Sequence, residues 1–325
     1  MSLLEVKNLR VEFPTRRGTL LAIDDISFSI EPGEVLGVVG ESGAGKSLTG
    51  ASIIGLLEPP GRVAAGEIWL EGSRIDNLSY NEFRKIRGRK IGAIFQDPLT
   101  SLNPLYTIGR QLTETILLHL DLDKEGAKRR AIELLEEVGI SAAEKRLDSY
   151  PHEFSGGMRQ RVVIALALCA NPKLIIADEP TTALDVSIQA QIIALLKRLC
   201  RDHGTSVMLI THDMGVIAET ADRVAVMYAG RIAEIGKVRN VIQNASHPYT
   251  EGLMGSIPFP GHDVEKLQQI DGSMPRLTEI PDGCAFNPRC EKTTDRCFTD
   301  RPDLFTAKDE TRSACWLYEQ GGPNA

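Results

Sequence analysis

A glycine-rich run after a short apolar segment carries the clearest potential for chemistry. Gly40 to Ser47 reads GESGAGKS, which fits the pattern G-x-x-x-x-G-K-S/T. Glycines let successive backbone N–H groups turn toward phosphate oxygens, and a helix start adds partial positive charge. Lys46 supplies a charge for the β- and γ-phosphates, and the Ser47 hydroxyl can ligate Mg²⁺. The run predicts a nucleoside triphosphate site made of Gly40, Glu41, Ser42, Gly43, Ala44, Gly45, Lys46, Ser47 and Leu48.

Two adjacent carboxylates, Asp178 and Glu179, follow the apolar run Leu174 to Ala177. Neighbouring side chains on an extended chain point in different directions, so the two groups can take different tasks. Asp178 can hold the Mg²⁺ shell, and Glu179 can polarise a water molecule for attack on the γ-phosphate. An isolated Asp-Glu pair is more often a solvated strand end, and the upstream phosphate loop is what favours the catalytic interpretation.

A second glycine-containing motif, SGGMRQR at Ser155 to Arg161, precedes an apolar helix at Val162 to Ala170. Ser155 can cap this helix, while Gly156 and Gly157 leave backbone N–H groups open to an anion. The chain is therefore expected to contain two phosphate-binding helix ends.

The segments that must position these residues alternate between strand and helix. Period-two alternation predicts half-buried strands at Leu4 to Phe13 and Ile23 to Ile30. Short apolar runs predict further strands at Val35 to Val39, Glu67 to Leu70, Ile91 to Phe95, Leu174 to Ala177, Val207 to Ile210 and Val224 to Met227. Helices are predicted at Lys46 to Leu57, Gln111 to Leu120, Ala131 to Val138 and Ile188 to Leu199. This alternation implies parallel crossovers and an α/β sheet, interrupted by a helical insertion.

Composition and charge limit the classes of protein that fit. The chain has 325 residues, of which 42% are hydrophobic and 25% charged, which suits a globular protein with a sizeable core. The net charge of -7 argues against a protein that grips nucleic acid through its phosphates. No apolar run approaches the roughly 20 residues that span a bilayer, and the start MSLLEVKNLRVEF lacks the features of a secretory signal. We therefore expect a cytoplasmic chain that reaches a membrane only through a partner.

The chain from about residue 245 onward has a different character. Prolines recur there without a lasting period, which predicts a loop-rich appendage too irregular to be held by core packing alone. Four of the six cysteines lie in it, at Cys284, Cys290, Cys297 and Cys315. In a reducing compartment, clustered cysteines more often bind metal than form disulfides. Their spacing matches neither a zinc ribbon nor a ferredoxin, so it does not choose the metal, and disulfides or free thiols remain alternatives.

Several motifs, taken in order from about residue 3 to 240, resemble those of the ABC ATPases. SGGMRQR upstream of the Asp-Glu pair resembles their signature motif, and Ala183-Leu184-Asp185 resembles their D-loop. The resemblance implies a P-loop NTPase fold with a mostly parallel sheet, an antiparallel β subdomain and the helical insertion. It further implies a 1–244 ATPase domain, with the helical subdomain at about 98–155, and a 245–325 extension.

The same resemblance implies roles for single residues. Phe13 would stack on adenine, and Gln96 in FQDP would sense the γ-phosphate and the membrane partner and join Ser47 and Asp178 at Mg²⁺. His212 in ITHD would hydrogen-bond to the γ-phosphate beside the catalytic Glu179. ATP and Mg²⁺ are the implied cofactors. Each ATP would lie between the phosphate loop of one subunit and the Ser155 helix of another in a head-to-tail dimer.

The extension resembles one ABC subgroup, the ATP-binding subunits of dipeptide, oligopeptide and nickel importers. The segments that carry this likeness are SHPYTEGLMGSIP at Ser246 to Pro258 and GCAFNPRC at Gly283 to Cys290. The whole chain is most similar to the D type of dipeptide importer ATPase. The implied partners are a second, distinct ATPase subunit, two transmembrane permease subunits and an extracytoplasmic substrate-binding protein, with no nucleic acid. The implied location is the cytoplasmic face of the plasma membrane.

Two points stay open within this resemblance. Members of the subgroup can carry a 4Fe–4S cluster on four such cysteines, with zinc the second choice, and its role would be structural. The cargo could instead be nickel or another small solute, because the ATPase does not touch it. Some soluble ABC ATPases act without a membrane, but they usually carry two cassettes or coiled-coil arms, and one phosphate loop is present here.

Overall fold

The structure of the protein is a computed structural model that describes residues 2–182, 184–256 and 269–319. Its strands are β1 (Leu4–Thr15), β2 (Gly18–Ile30), β3 (Val35–Val39), β4 (Arg62–Leu70), β5 (Ser73–Arg74), β6 (Ile91–Ile94), β7 (Leu174–Asp178), β8 (Ser206–Ile210), β9 (Arg223–Tyr228), β10 (Arg231–Lys237), β11 (Phe305–Thr306) and β12 (Arg312–Ser313). Its α-helices are α1 (Lys46–Ile53), α2 (Tyr80–Phe83), α3 (Pro98–Ser101), α4 (Ile108–His119), α5 (Lys124–Glu137), α6 (Ala143–Arg146), α7 (Gly156–Leu168), α8 (Val186–His203), α9 (Met214–Thr220), α10 (Val238–Gln243), α11 (Pro248–Gly255) and α12 (Arg296–Thr299).

The described chain forms two compact units, and neither is a continuous stretch of sequence. The first consists mainly of Glu71–Leu209 with the short segment Ile30–Glu34. The second combines Leu4–Ser29, Val35–Leu70 and the described residues from Ile210 onward. The phosphate loop and the cysteine-bearing extension therefore share the second unit.

Parallel strands and a helical layer build the first unit. β6 and β7 pair in parallel, with Ile91 opposite Leu174 and Ile94 opposite Ala177, and β8 lies beside β7. The buried apolar runs of these strands are what a sheet covered on both faces requires. α7 packs against β6 and against α4 and α5, which confirms the predicted helical insertion beside a parallel sheet.

Capping residues set where the helices of the insertion begin. Thr107 accepts a hydrogen bond from the Arg110 N–H at the start of α4 (3.2 Å), and Asp123 accepts one from the Gly126 N–H at the start of α5 (2.8 Å). Each helix begins several residues before the apolar run from which it was predicted, because the capping residue precedes the residues that show the helical period. Such caps satisfy N–H groups that lack an intrahelical partner.

The second unit contains both antiparallel and parallel strand pairs. β1 and β4 run antiparallel, with Leu4 opposite Leu70, and β2 flanks β1. β3 pairs in parallel with β9, and β10 pairs antiparallel with β9. This arrangement confirms the predicted α/β class with an antiparallel β portion.

The extension is more regular than its sequence predicts. β12 pairs with β10, with Ser313 opposite Glu234, and β11 pairs with β12. Strands of two residues leave no period in a sequence, so pattern analysis misses them. The extension therefore contributes hydrogen-bonded strands at the edge of the sheet as well as loops.

Within residues 2–182, 184–256 and 269–319, no helix has the length and apolar character needed to cross a membrane. The longest apolar run of the sequence forms part of α7, where Val162, Ile164 and Ala165 are fully buried in the protein. The apolar run is thus used for core packing.

Candidate functional site

Glycines in unusual conformations dictate the path of the loop between β3 and α1. Gly40, Gly43 and Gly45 have φ values of 150°, 84° and 100°. A Cβ on Gly40 would lie 2.2 Å from the carbonyl oxygen of Met227, so no larger residue fits there. The loop delivers the chain into α1 at Lys46, where the positive end of the helix dipole favours a phosphate.

The side chain of Lys46 is held over this loop. It is only 6% exposed, and Nζ donates to the carbonyl oxygens of Gly40 (2.8 Å) and Glu41 (3.0 Å). A carbonyl is a weaker acceptor for an ammonium group than an ionised phosphate oxygen. A bound triphosphate can therefore take over these hydrogen bonds, as the sequence predicts for this lysine.

The other residues predicted for the loop differ in exposure. Ala44 is buried and its N–H donates to the Glu41 carbonyl oxygen (3.1 Å), which tightens the turn. Ser42 and Ser47 are exposed, and Leu48 is half-buried in the first turn of α1. Ser47, predicted to be a ligand of Mg²⁺, is thus an exposed residue in the first turn of α1.

Glu41 is bound by two residues of the extension that sequence analysis missed. Its N–H donates to the hydroxyl oxygen of Tyr249 (2.9 Å). The Nη1 atom of Arg289 donates to both carboxylate oxygens, at 3.0 and 3.2 Å. Tyr249 and Arg289 lie within the SHPYTEG and NPRC segments, and the only sequence signal for these segments is their resemblance to the importer subgroup.

Phe13 and His212 occupy a strand and a strand–helix junction. Phe13 is half-buried on β1, and its ring lies so close to Gly61 that a Cβ there would be 2.6 Å from Cε1. His212 is exposed just after β8. The next residue, Asp213, caps α9 by accepting from the N–H of Gly215 (2.8 Å), which fixes the backbone beside the histidine.

Two of the predicted site residues in the first unit are in direct contact. Glu179 follows the end of β7, and its Oε2 atom accepts from Nε2 of Gln96 (2.9 Å) and from the hydroxyl of Thr182 (2.7 Å). Two donors on one oxygen orient the carboxylate. Thr182 is a contact of Glu179 that the sequence analysis did not predict.

Glu179 also has a strained backbone. Its φ of 46° is in the left-handed region, which costs a residue with a side chain about 1 kcal/mol or more. Asp178, by contrast, is the last residue of β7 and is half-buried. The two carboxylates therefore stand on residues with different backbone conformations.

Small residues form the N-terminus of α7 and leave it accessible. Ser155 is the N-cap and its Oγ accepts from the Met158 N–H (3.4 Å). A Cβ on Gly157 would lie 2.9 Å from Cγ2 of Ile188, so the glycine lets α8 approach closely. Gly156 is exposed. The helix end predicted to bind an anion is thus the capped, accessible N-terminus of a helix of 13 residues.

The predicted Mg²⁺ ligands belong to both compact units, and parts of two predicted segments lie outside the described residues. Of the predicted Mg²⁺ ligands, Ser47 belongs to the second unit, and Asp178 and Gln96 belong to the first. In the D-loop, Asp185 is the N-cap residue of α8, and Ala183 lies outside the described residues. The end of the SHPYTEGLMGSIP segment, from residue 257, also lies outside them.

The four cysteines of the extension line one cavity. The cavity has a volume of about 240 Å³, and its lining includes Cys284, Cys290, Cys297 and Cys315. All four are free thiols. The N–H of Cys284 donates to the Cys297 carbonyl oxygen (2.9 Å), and the hydroxyl of Thr294 lies 3.4 Å from the Cys297 sulfur.

The four thiols line the same cavity, but as they stand they do not form a metal site. In the part of the chain that the structure describes, no three His, Cys, Asp or Glu side chains converge closely enough to hold one metal ion. Burial, reinforced by the neighbouring thiols, raises the pKa of Cys284 and of Cys315 to about 11. A bound metal would reverse that effect, because a coordinating thiol loses its proton.

Comparison with known proteins supplies family relationships for both parts of the chain. A family described as ABC transporter matches residues 23–182, and one described as oligopeptide/dipeptide transporter, C-terminal region, matches residues 233–297. The chain is similar to the oligopeptide transport ATP-binding protein AppD of Bacillus subtilis (strain 168), at 49% identity over 99% of this chain and 98% of that protein. It is also 46% identical to the dipeptide transport ATP-binding protein DppD of Escherichia coli (strain K12), over 97% and 96% of the two chains.

The fold has counterparts among solved structures. One is the dimeric, post-hydrolysis ATP-binding cassette MJ0796 bound to ADP and Pi, with a TM-score of 0.65 and 30% identity, covering 73% of this chain and 99% of that one. A second is CbiO1 of Clostridium perfringens, part of the transporter complex CbiONQ, with a TM-score of 0.65 and 28% identity over 75% and 91% of the two chains. These matches confirm the nucleotide-binding cassette fold predicted from the sequence.

Proposed function

Because the chain belongs to the ABC transporter family, within its group of oligopeptide and dipeptide transport ATPases, we propose that it hydrolyses ATP to power peptide import. The observation that carries the proposal is the pair of prepared sites. One is a glycine loop with Lys46 bound to its carbonyls. The other is a carboxylate, Glu179, oriented by Gln96 and Thr182.

Each residue has a distinct task in this proposal. Lys46 and the N–H groups of the loop hold the β- and γ-phosphates, and Phe13 supports the adenine. Ser47 and Asp178, with Gln96, would hold Mg²⁺, which neutralises phosphate charge when bound. Glu179 accepts a proton from the attacking water, and His212 donates a hydrogen bond to the γ-phosphate.

We assign the two helix ends that meet at one nucleotide to two different ATPase subunits. One nucleotide would bridge the Gly40–Ser47 loop of one subunit and the Ser155 helix end of a second, distinct ATPase subunit. ATP favours the closed pair because only that state contacts its γ-phosphate from both sides. Light scattering of the chain with its natural cassette partner and MgATP tests this, and a persistently monomeric chain contradicts it.

The proposed assembly places this chain on the cytoplasmic face of the plasma membrane, bound to two permease subunits that receive peptide from an external binding protein. A 1–244 ATPase domain, with its helical subdomain at about 98–155, would drive this assembly, and a 245–325 extension would follow it. The named cargo of relatives such as AppD and DppD supports peptide as the solute.

The decisive experiment is copurification of the whole complex from membranes. Permease subunits should accompany the chain, and di- or oligopeptides with the binding protein should stimulate ATP hydrolysis. Stimulation by nickel alone would replace peptide by metal as the cargo. Recovery with ribosomes or DNA in place of permeases would contradict a transport function.

The cavity of four thiols supports a 4Fe–4S cluster as a structural cofactor of the extension. Thiolate sulfur is the donor that iron–sulfur clusters and zinc both prefer, so the type of donor fits, although the four thiols would have to move closer together to hold a metal. Anaerobically purified protein should be brown and absorb at about 400 nm. The Cys290→Ser variant should lose this colour. The matched control is Cys200→Ser, since Cys200 is buried in α8 away from the cavity. Colourless protein with stoichiometric zinc would replace iron by zinc.

A further inference from the structure

We propose that Arg289 and Tyr249 are positioning residues for the phosphate loop, which hold Glu41 by its carboxylate and its N–H and so set the affinity of the loop for nucleotide phosphate. The inference rests on the proposed function, because it requires that phosphate binds at Gly40–Ser47. It assigns the extension a direct part in nucleotide binding.

All three polar groups of Glu41 are engaged in the same unit. Its carboxylate binds Arg289, its N–H donates to Tyr249, and its carbonyl oxygen accepts from Nζ of Lys46 (3.0 Å). The position of this residue therefore determines where the phosphate-binding ammonium group of Lys46 stands. A shift of the Glu41 peptide displaces both the loop backbone and the lysine.

Arg289 is itself fixed by the extension. Its side chain is 7% exposed, and Nε donates to the carbonyl oxygen of Asp271 (2.9 Å). Its Nη1 atom also lies 3.3 Å from the hydroxyl of Tyr228. A guanidinium held by several fixed acceptors approaches a carboxylate with little loss of freedom, which makes the contact more specific than a surface ion pair. Arg289 directly precedes Cys290, so the turn that lines the cysteine cavity also delivers the guanidinium.

Tyr249 is fixed by a cluster of rings. It is fully buried, its ring centroid lies 4.6 Å from that of Tyr228 and 5.4 Å from that of Phe286, and both pairs are inclined. Such edge-on contacts hold an aromatic ring in one orientation. The hydroxyl therefore stands at a set point, and the first peptide of the phosphate loop turns toward it.

Charge gives the arginine a second effect. Glu41 places a carboxylate in a loop that must accept a polyanion, and like charges at short range repel. Arg289 neutralises that carboxylate. Removing the guanidinium should therefore weaken phosphate binding through the charge of Glu41, and removing that charge as well should restore part of the affinity.

The test uses the full chain and MgADP, with the dissociation constant measured by calorimetry. We expect Arg289→Gln to raise Kd about tenfold, equivalent to about 1.4 kcal/mol, and Tyr249→Phe to raise it about threefold. The double variant Glu41→Gln/Arg289→Gln should bind MgADP more tightly than Arg289→Gln, because the unneutralised carboxylate is gone, but more weakly than the parent, because the guanidinium no longer holds the loop. That recovery would not follow from a general loosening of the extension.

A matched control is Lys237→Gln, which breaks another ion pair between β10 and the extension, to Glu310 at 3.7 Å. Its Kd should equal that of the parent. Arg289→Lys keeps the charge and should stay within about threefold, which provides a folded variant if Arg289→Gln melts early. Parent-like binding by Arg289→Gln, or a double variant as weak as Arg289→Gln, would overturn the inference. Failure of the parent to bind MgADP would instead overturn the proposed function.

Discussion

The phosphate loop and the extension belong to one compact unit, but different interactions shape them. Backbone sterics shape the loop, through glycines at positive φ and carbonyls that bind Lys46. The extension depends on side chains that reach distant partners. Among described residues 269–319, its buried aromatic side chains are Phe286 and Tyr318. We therefore expect a substitution at the proposed catalytic carboxylate to change turnover, and substitutions where the extension is attached to β10 to change stability.

The largest expected effect is on turnover. Glu179→Gln should lower kcat about 1000-fold, because it removes the proposed base. The glutamine side chain is nearly isosteric, and its amide oxygen can still accept hydrogen bonds from the neighbours. Binding of MgATP should stay within about threefold, and the closed dimer should accumulate. Phosphate release and light scattering measure the two effects. Glu144→Gln, at an exposed carboxylate of the same unit, is the control. Turnover at the parental rate would remove Glu179 from its role.

The next effect concerns the attachment of the extension. Glu234 on β10 is fully buried, and its carboxylate accepts from the N–H groups of Ser246 and His247, each at 2.9 Å. Glu234→Ala leaves both donors unsatisfied and should lower the free energy of unfolding by about 3 kcal/mol. Denaturant titration measures the loss. Glu310→Ala, at an exposed carboxylate, should change it little. A loss below about 1 kcal/mol would mean that other contacts anchor α11.

The attachment should also be sensitive to acid. Burial lowers the pKa of His247 from 6.5 to about 4, so its neutral form stabilises the fold above pH 6.5, and this stability is lost as the pH falls toward 4. Burial raises the pKa of Glu234, whose contribution has the opposite sign. His247→Asn keeps a capping side chain without the titration. As the pH falls from 7 to 5, the free energy of unfolding of the variant minus that of the parent should increase by about 2 kcal/mol, because only the parent loses the contribution of His247. A constant difference across this range would contradict the assignment.

The smallest effect concerns a helix cap in the cassette. Asp123 accepts from the Gly126 N–H (2.8 Å), and Asp123→Ala should lower the free energy of unfolding by about 1 kcal/mol. ATP turnover should not change, since the cap lies at the start of α5. The exposed Asp121 provides a matched variant, Asp121→Ala, with no expected loss. A loss of turnover from Asp123→Ala would show that the helical insertion tolerates less change than we infer.

The parts of the fold that follow from local chemistry were predictable. β3 spans Val35–Val39 as predicted, and α1 begins at Lys46. α1 ends at Ile53, before the predicted Leu57, because Gly55 takes a left-handed φ of 63°. Apolar runs and glycine spacing act over a few residues, so the sequence displays them directly.

The parts that depend on distant partners were not predictable. Glu179 adopts a φ of 46°, and strain of this kind is imposed by the surrounding structure and is not marked by any sequence pattern. The contact of Arg289 with Glu41 joins positions 248 residues apart. No periodicity marks such a pair, and the same is true of the hydrogen bond from Gln96 to Glu179.

The short strands of the extension have one more consequence. β12 covers the hydrogen-bonding edge of β10, whose Ile232, Ala233 and Ile235 are all buried. An uncovered edge of this kind is a template on which other chains can add strands. A protein cut before Phe305 would present that edge to solvent, and aggregation would follow even if every residue that binds ATP were intact.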